Sequence, residues 1–145
     1  MGYSNRRAMA RGLSPKNKWY LPKYAFREAL NYAQQYQDYL DRLEELGDGS
    51  RAISYDSQPH GDSKGTALEN LAIRRAKISV RVDKIEQACR EADAELYPWL
   101  LKAVTNDGIG YDYLYYYLEP PIPCSRNTFY ERRHKFFYLL YQKIL

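Results

Sequence analysis

The stretch Pro120–Leu145, PPIPCSRNTFYERRHKFFYLLYQKIL, decides how the rest of the chain is read. Three of its first four residues are proline, so no helix continues through residues 119–123 and a fixed turn is expected there. Ser125 then stands where an N-cap belongs, its hydroxyl able to accept from a backbone amide in the first turn of a new helix. At about 100° per residue, Phe129, Phe136, Leu140 and Ile144 fall on one side of that helix, with Arg133 and Phe137 beside them. Asn127, Glu131, His134 and Tyr138 fall opposite, flanked by Arg126, Thr128, Arg132 and Lys135. The apolar side is the expected core face and the other side is polar and basic.

Immediately upstream, IGYDYLYYYL (109–118) reads as a short helix with Leu114 and Leu118 turned inward. A short helix, a turn, and a second helix with a polar, basic first turn have the layout of a helix-turn-helix. In that layout the second helix offers its N-terminal residues to the major groove. Arginine matches the O6/N7 edge of guanine and asparagine can pair both edges of adenine. Arg126, Asn127, Glu131 and His134 are therefore expected at base edges, and Thr128, Tyr130, Arg132 and Lys135 at phosphates. A plain amphipathic helix docked into a bundle accounts for the same pattern, with the arginines as solvated surface. The five-residue turn is also longer than usual for the motif and lacks its common glycine.

Further upstream, Pro98 interrupts a long helical pattern, and Tyr97 is the expected break before a short helix ending at Asn106-Asp107-Gly108. Before it, Leu68, Leu71, Arg75, Ile78, Val82, Ile85, Cys89, Ala92 and Leu96 alternate in steps of 3 and 4, a heptad seam interrupted by one charge. The spacing predicts a helix from Thr66 to about Leu96, roughly 45 Å long, with the segment TALE as its capping box. The seam needs a partner. Candidates are a helix over 24–46, whose Phe26, Ala29, Ala33, Tyr36, Leu40 and Leu43 form a matching stripe, and the 66–96 helix of a second copy in a homodimer. Residues 47–65 read as a long polar loop and residues 1–23 as a basic, flexible arm. No strand pattern of useful length appears. The expected architecture is all-α: the arm, an antiparallel helical hairpin over 24–96, and a helix-turn-helix module over 97–145.

Charge is segregated along the chain. The net charge is +4, but residues 1–24 carry six bases and no acid, and residues 124–145 carry five bases against Glu131. The residues between are left with −6. Two basic ends around an acidic centre suit a polyanion partner, double-stranded DNA above all, although basic tails also serve solubility alone.

Enzyme chemistry finds little support. Cys89 and Cys124 are the only cysteines, and His60 and His134 the only histidines, with no Cys/His cluster for zinc. The segment GDSKG (61–65) looks like the serine segment of trypsin-like proteases but lies in a chain without strands, and it lacks phosphate-loop spacing. Sixteen tyrosines offer a nucleophile in principle, yet no carboxylate or histidine set surrounds one. No catalytic residue, metal or cofactor is therefore expected. No apolar run reaches the ~20 residues of a membrane span and the N-terminus has no secretory apolar region, so a cytoplasmic protein is expected.

Two segments together resemble a known family. SYDSQPHGDSKGTALENLAIRRAKISVRVDKIEQA is similar to the central portion of small phage regulators of the RinA/ArpU type, and GIGYDYLYYYLEPPIPCSRNTFYERRHKFFYLL to their C-terminal module, which is like region 4 of sigma factors. The resemblance covers roughly residues 50–145. It implies a prophage-encoded, sequence-specific DNA-binding regulator of late genes, all-helical and without cofactor, with RNA polymerase as a further partner. The chain departs from the pattern in its proline-rich EPPIP turn and tyrosine-crowded first helix. A phage terminase small subunit, or another helical DNA-packaging or adaptor protein, is the alternative.

Overall fold

A computed structural model describes residues 13–47 and 61–145. The expectations placed on residues 1–12 and on 48–60, His60 included, lie outside them. All regular structure among the described residues is helical: α1 (Lys23–Gln34), α2 (Tyr36–Leu46), α3 (Gly61–Ala92), α4 (Tyr97–Thr105), α5 (Tyr111–Tyr116) and α6 (Arg126–Ile144). The chain is all-α. None of these helices is long and apolar enough to cross a membrane.

Three boundaries differ from the sequence reading. The helix expected over 24–46 is broken at Gln35, whose backbone (φ −85°, ψ 1°) leaves the helical region and separates α1 from α2. The long helix begins at Gly61, inside the expected loop, so Thr66 is an exposed helical residue and not the cap of a capping box. It also stops at Ala92, four residues before Leu96. Asp93 explains that stop. Its carboxylate accepts from the backbone amides of Glu95 and Leu96, both at 3.0 Å, giving the chain a local alternative to the helical ladder. Pro98 then sits in the first turn of α4, where a missing amide costs nothing.

The described residues form two compact units: those of Gln35–Asp83, and those up to Gln34 together with Lys84–Leu145. This is not the division expected at residues 96/97. The reason lies in α1, which turns Ala25, Ala29 and Ala33 into the core of the second of these units and sets Phe26 edge-on to Phe137 at 5.0 Å. Small side chains on one stripe let the backbone of α1 approach a helix rich in large aromatics.

In the unit of 35–83, Tyr39 is buried and its hydroxyl accepts from Arg81 at 3.0 Å. Arg75, the charge that interrupts the seam, donates to the carbonyl of Leu43 at 2.9 Å and to that of Gly47. It thereby ties the C-terminal end of α2 to α3, adding a second donor at the Leu43 carbonyl, which also accepts from the Gly47 amide. The seam itself is unevenly covered. Leu68 is exposed, Leu71 and Ile78 are half-buried, and Val82 is buried.

The other unit is built around α6. Phe129, Phe136, Phe137 and Leu140 are inaccessible to solvent, as are Ile85, Cys89, Leu100 and Leu114 from the surrounding helices. Burial pushes the Cys89 thiol well above its ordinary range, as for a small hydrophobe in a core. The proline turn is pinned at three points. Trp99 donates its indole N–H to the carbonyl of Pro120 at 3.0 Å, the amide of Ile122 donates to Leu114, and the Tyr111 hydroxyl donates to Cys124 at 2.6 Å. Ile122 is buried beneath it. These bonds fix the place from which α6 starts.

Candidate nucleic-acid interface

The first turn of α6 is capped as its sequence requires. Ser125 is extended (φ −78°, ψ 163°), and its hydroxyl oxygen accepts from the amide of Thr128 at 3.2 Å while donating to the Thr128 hydroxyl at 3.0 Å. Asn127 is exposed, and Arg126, Thr128 and Tyr130 are half-buried around it. Arg126 lies over the Tyr111 ring, its guanidinium carbon 5.1 Å from the centroid, and pairs with Asp112 of α5. That hydrogen bond raises its proton affinity further.

Beyond the first turn, the face expected to meet DNA is occupied by protein. Glu131 accepts from the Trp19 indole N–H at 2.9 Å and pairs with Arg132. Burial alone would raise its carboxyl, but these two donors hold it below the ordinary range. Trp19 also stands edge-on to Tyr138 at 5.5 Å, with the Lys135 ammonium 5.4 Å from its ring. Arg132 spends its fork on two carboxylates, Asp93 at 3.0 Å and Glu131. The Asp93 carboxyl is pushed up by burial, yet backbone amides and Arg132 leave it below its usual value. His134 is buried, and burial together with the neighbouring Arg133 pushes its imidazole down to about 4.

The eight residues expected at DNA therefore separate. Arg126, Asn127, Thr128 and Tyr130 gather at the start of α6, beside α5. Glu131, Arg132 and Lys135 are engaged by Trp19, Asp93 and one another, and His134 faces the interior instead of a base edge. The physical reason is that α6 is a central helix, covered on more than the single stripe its apolar spacing marks. The segment 13–22, read as part of a flexible arm, contributes much of this cover through Trp19.

One important residue escaped the sequence reading. Trp19 gave no periodic signal because it lies in a turn stabilised by local bonds, including its own amide to Asn17 at 2.9 Å. Arg133 did give one, as a charge on an apolar stripe. It stacks on Phe137, 4.8 Å from the ring centroid, and burial lowers its proton affinity. Comparison of the chain with protein-family models, curated proteins and solved structures returned no match to any of them.

Proposed function

We propose that this protein binds double-stranded DNA through the first turn of α6, in the manner of a helix-turn-helix regulator. The carrying observation is the capped, solvent-facing N-terminus of a basic helix, held against α5 by a turn tied down at three points. Asn127 is free to reach a base edge there. Arg126 sits next to it on an exposed ion pair that is cheap to exchange for guanine or phosphate. The Thr128 and Tyr130 hydroxyls are placed for phosphate oxygens. The footprint is smaller than the eight residues first expected, with Glu131, Arg132, His134 and Lys135 shaping the helix from behind. The resemblance to phage late-gene regulators and the basic ends of the chain support the same reading. On it, α2 and the 61–83 part of α3 serve as a helical hairpin scaffold, and RNA polymerase is a second partner.

The test is fluorescence anisotropy of the full chain on duplex DNA across a salt series. Binding should weaken steeply with salt, by about 0.9 log unit per log unit of salt for each phosphate neutralised. Arg126→Ala should cost about 1–3 kcal/mol on a preferred duplex with folding intact. An Arg126→Ala variant that melts lower yet binds every duplex as the wild type does would make this helix a packing element.

A further inference from the structure

In the unit built around α6, a cleft of about 520 Å³ opens between α1, the 106–110 loop and α6. That volume is typical of sites for small organic ligands. Leu30 and Ala103 supply apolar wall, Tyr111, Tyr113 and Tyr130 supply rings, and Arg133 supplies charge. Two carboxylates are also on the wall: Asp112, paired with Arg126, and Asp107, which is exposed to solvent. Arg133 is different from the other arginines of α6. Arg126 and Arg132 each hold a carboxylate, whereas Arg133 rests half-buried on Phe137 with no ion pair to any described residue. A guanidinium removed from water without a partner is unfavourable, and an incoming anion relieves that cost. Its planar fork matches a carboxylate or a phosphate through two parallel hydrogen bonds.

We propose that this cleft binds a small aromatic anion, its carboxylate or phosphate held by Arg133 and its ring against Tyr111, Tyr130 and Leu30. Close packing around the cleft supports a defined shape: a methyl group added at Gly110 would come within 3.2 Å of the Tyr130 hydroxyl. The cleft shares Tyr130 and Arg126 with the DNA reading, whereas Arg133 has no part in that reading, so probe binding without DNA tests the cleft separately.

Calorimetric titration of the full chain with phenyl phosphate and with benzoate, in the absence of DNA, tests the proposal. One of the two should saturate at one equivalent per chain. Arg133→Met should weaken it about ten- to a hundredfold, the worth of a charged hydrogen-bonded pair. Arg133→Lys keeps the charge and the aliphatic stem, so it folds even where the methionine variant fails. It should bind about tenfold more weakly for want of the fork. No saturation by either probe up to about 10 mM, or wild-type affinity in Arg133→Lys, overturns the assignment. Loss of the probe in Arg126→Ala with its retention in Arg133→Met also overturns it, since Arg126 would then hold the anion.

Discussion

Arg126 has two demands on one guanidinium, the Asp112 carboxylate and, on the proposed reading, DNA. An exposed ion pair of this kind contributes little to stability, so its loss should be felt in binding instead. Asp112→Asn is expected to leave melting within about 0.5 kcal/mol of wild type and to tighten duplex binding, because it frees the arginine and removes a negative charge near the phosphates. Anisotropy titrations at fixed salt check this, and weaker binding would show that Asp112 positions Arg126 for its contact. His134 makes a different kind of statement. Its ordinary pKa is 6.5 and its folded value about 4, so over that interval the unfolded chain takes up the proton first. Stability is full above about pH 6.5 and falls as the pH drops towards 4, by about 3 kcal/mol. Glu131 and Asp93, with depressed carboxyls, begin to lose their contributions only near their ordinary values of 4.5 and 3.8. Denaturant melts between pH 7 and 4 should therefore show a slope in the wild type that His134→Gln lacks. Equal slopes would mean that the imidazole is solvated.

Among elements, α3 and α6 show what periodicity can and cannot tell. The 3–4 spacing marked the buried residues Val82, Ile85, Cys89 and Ala92 correctly, since burial of that part of the seam follows from its own apolar stripe. The same spacing gave Leu68 equal weight, and Leu68 is 40% exposed. Ile85→Asp should therefore cost more than about 3 kcal/mol, burying a charge without a partner, while Leu68→Asp should change melting by less than about 0.5 kcal/mol. A comparable loss at Leu68 would show that a second chain covers that end of the seam. In α6 the cap at Ser125 and the core positions Phe129, Phe136 and Leu140 were legible because each depends on local chemistry or on one stripe. The burial of His134 was not, because it depends on tertiary packing, and the engagement of Glu131 and Lys135 was not, because it depends on Trp19, more than a hundred residues away in sequence. The break at Gln35 carries no Pro, Gly or cap signal, and the early start at Gly61 was hidden by the Gly, Asp and Ser residues of 61–65, which read as loop.

Across the whole molecule, the charge segregation read from the sequence bears on the proposed role of α6. Basic residues dominate the two ends of the chain, and the described part of the N-terminal end packs on α6 through Trp19. On the proposed reading, the polyanion partner then meets both ends together: residues near the N-terminus add sequence-independent attraction, and the first turn of α6 reads bases. These contributions separate by their dependence on sequence. The most direct measurement is selection of bound duplexes from a random pool by the wild type and by Asn127→Ala, with melting curves for both. The wild type is predicted to enrich a defined site. Asn127→Ala, equally stable, should lose preference at one adenine-bearing position at a cost of about 1–3 kcal/mol there. Failure of the wild type to enrich any sequence, or an unaltered preference in Asn127→Ala, would contradict the account.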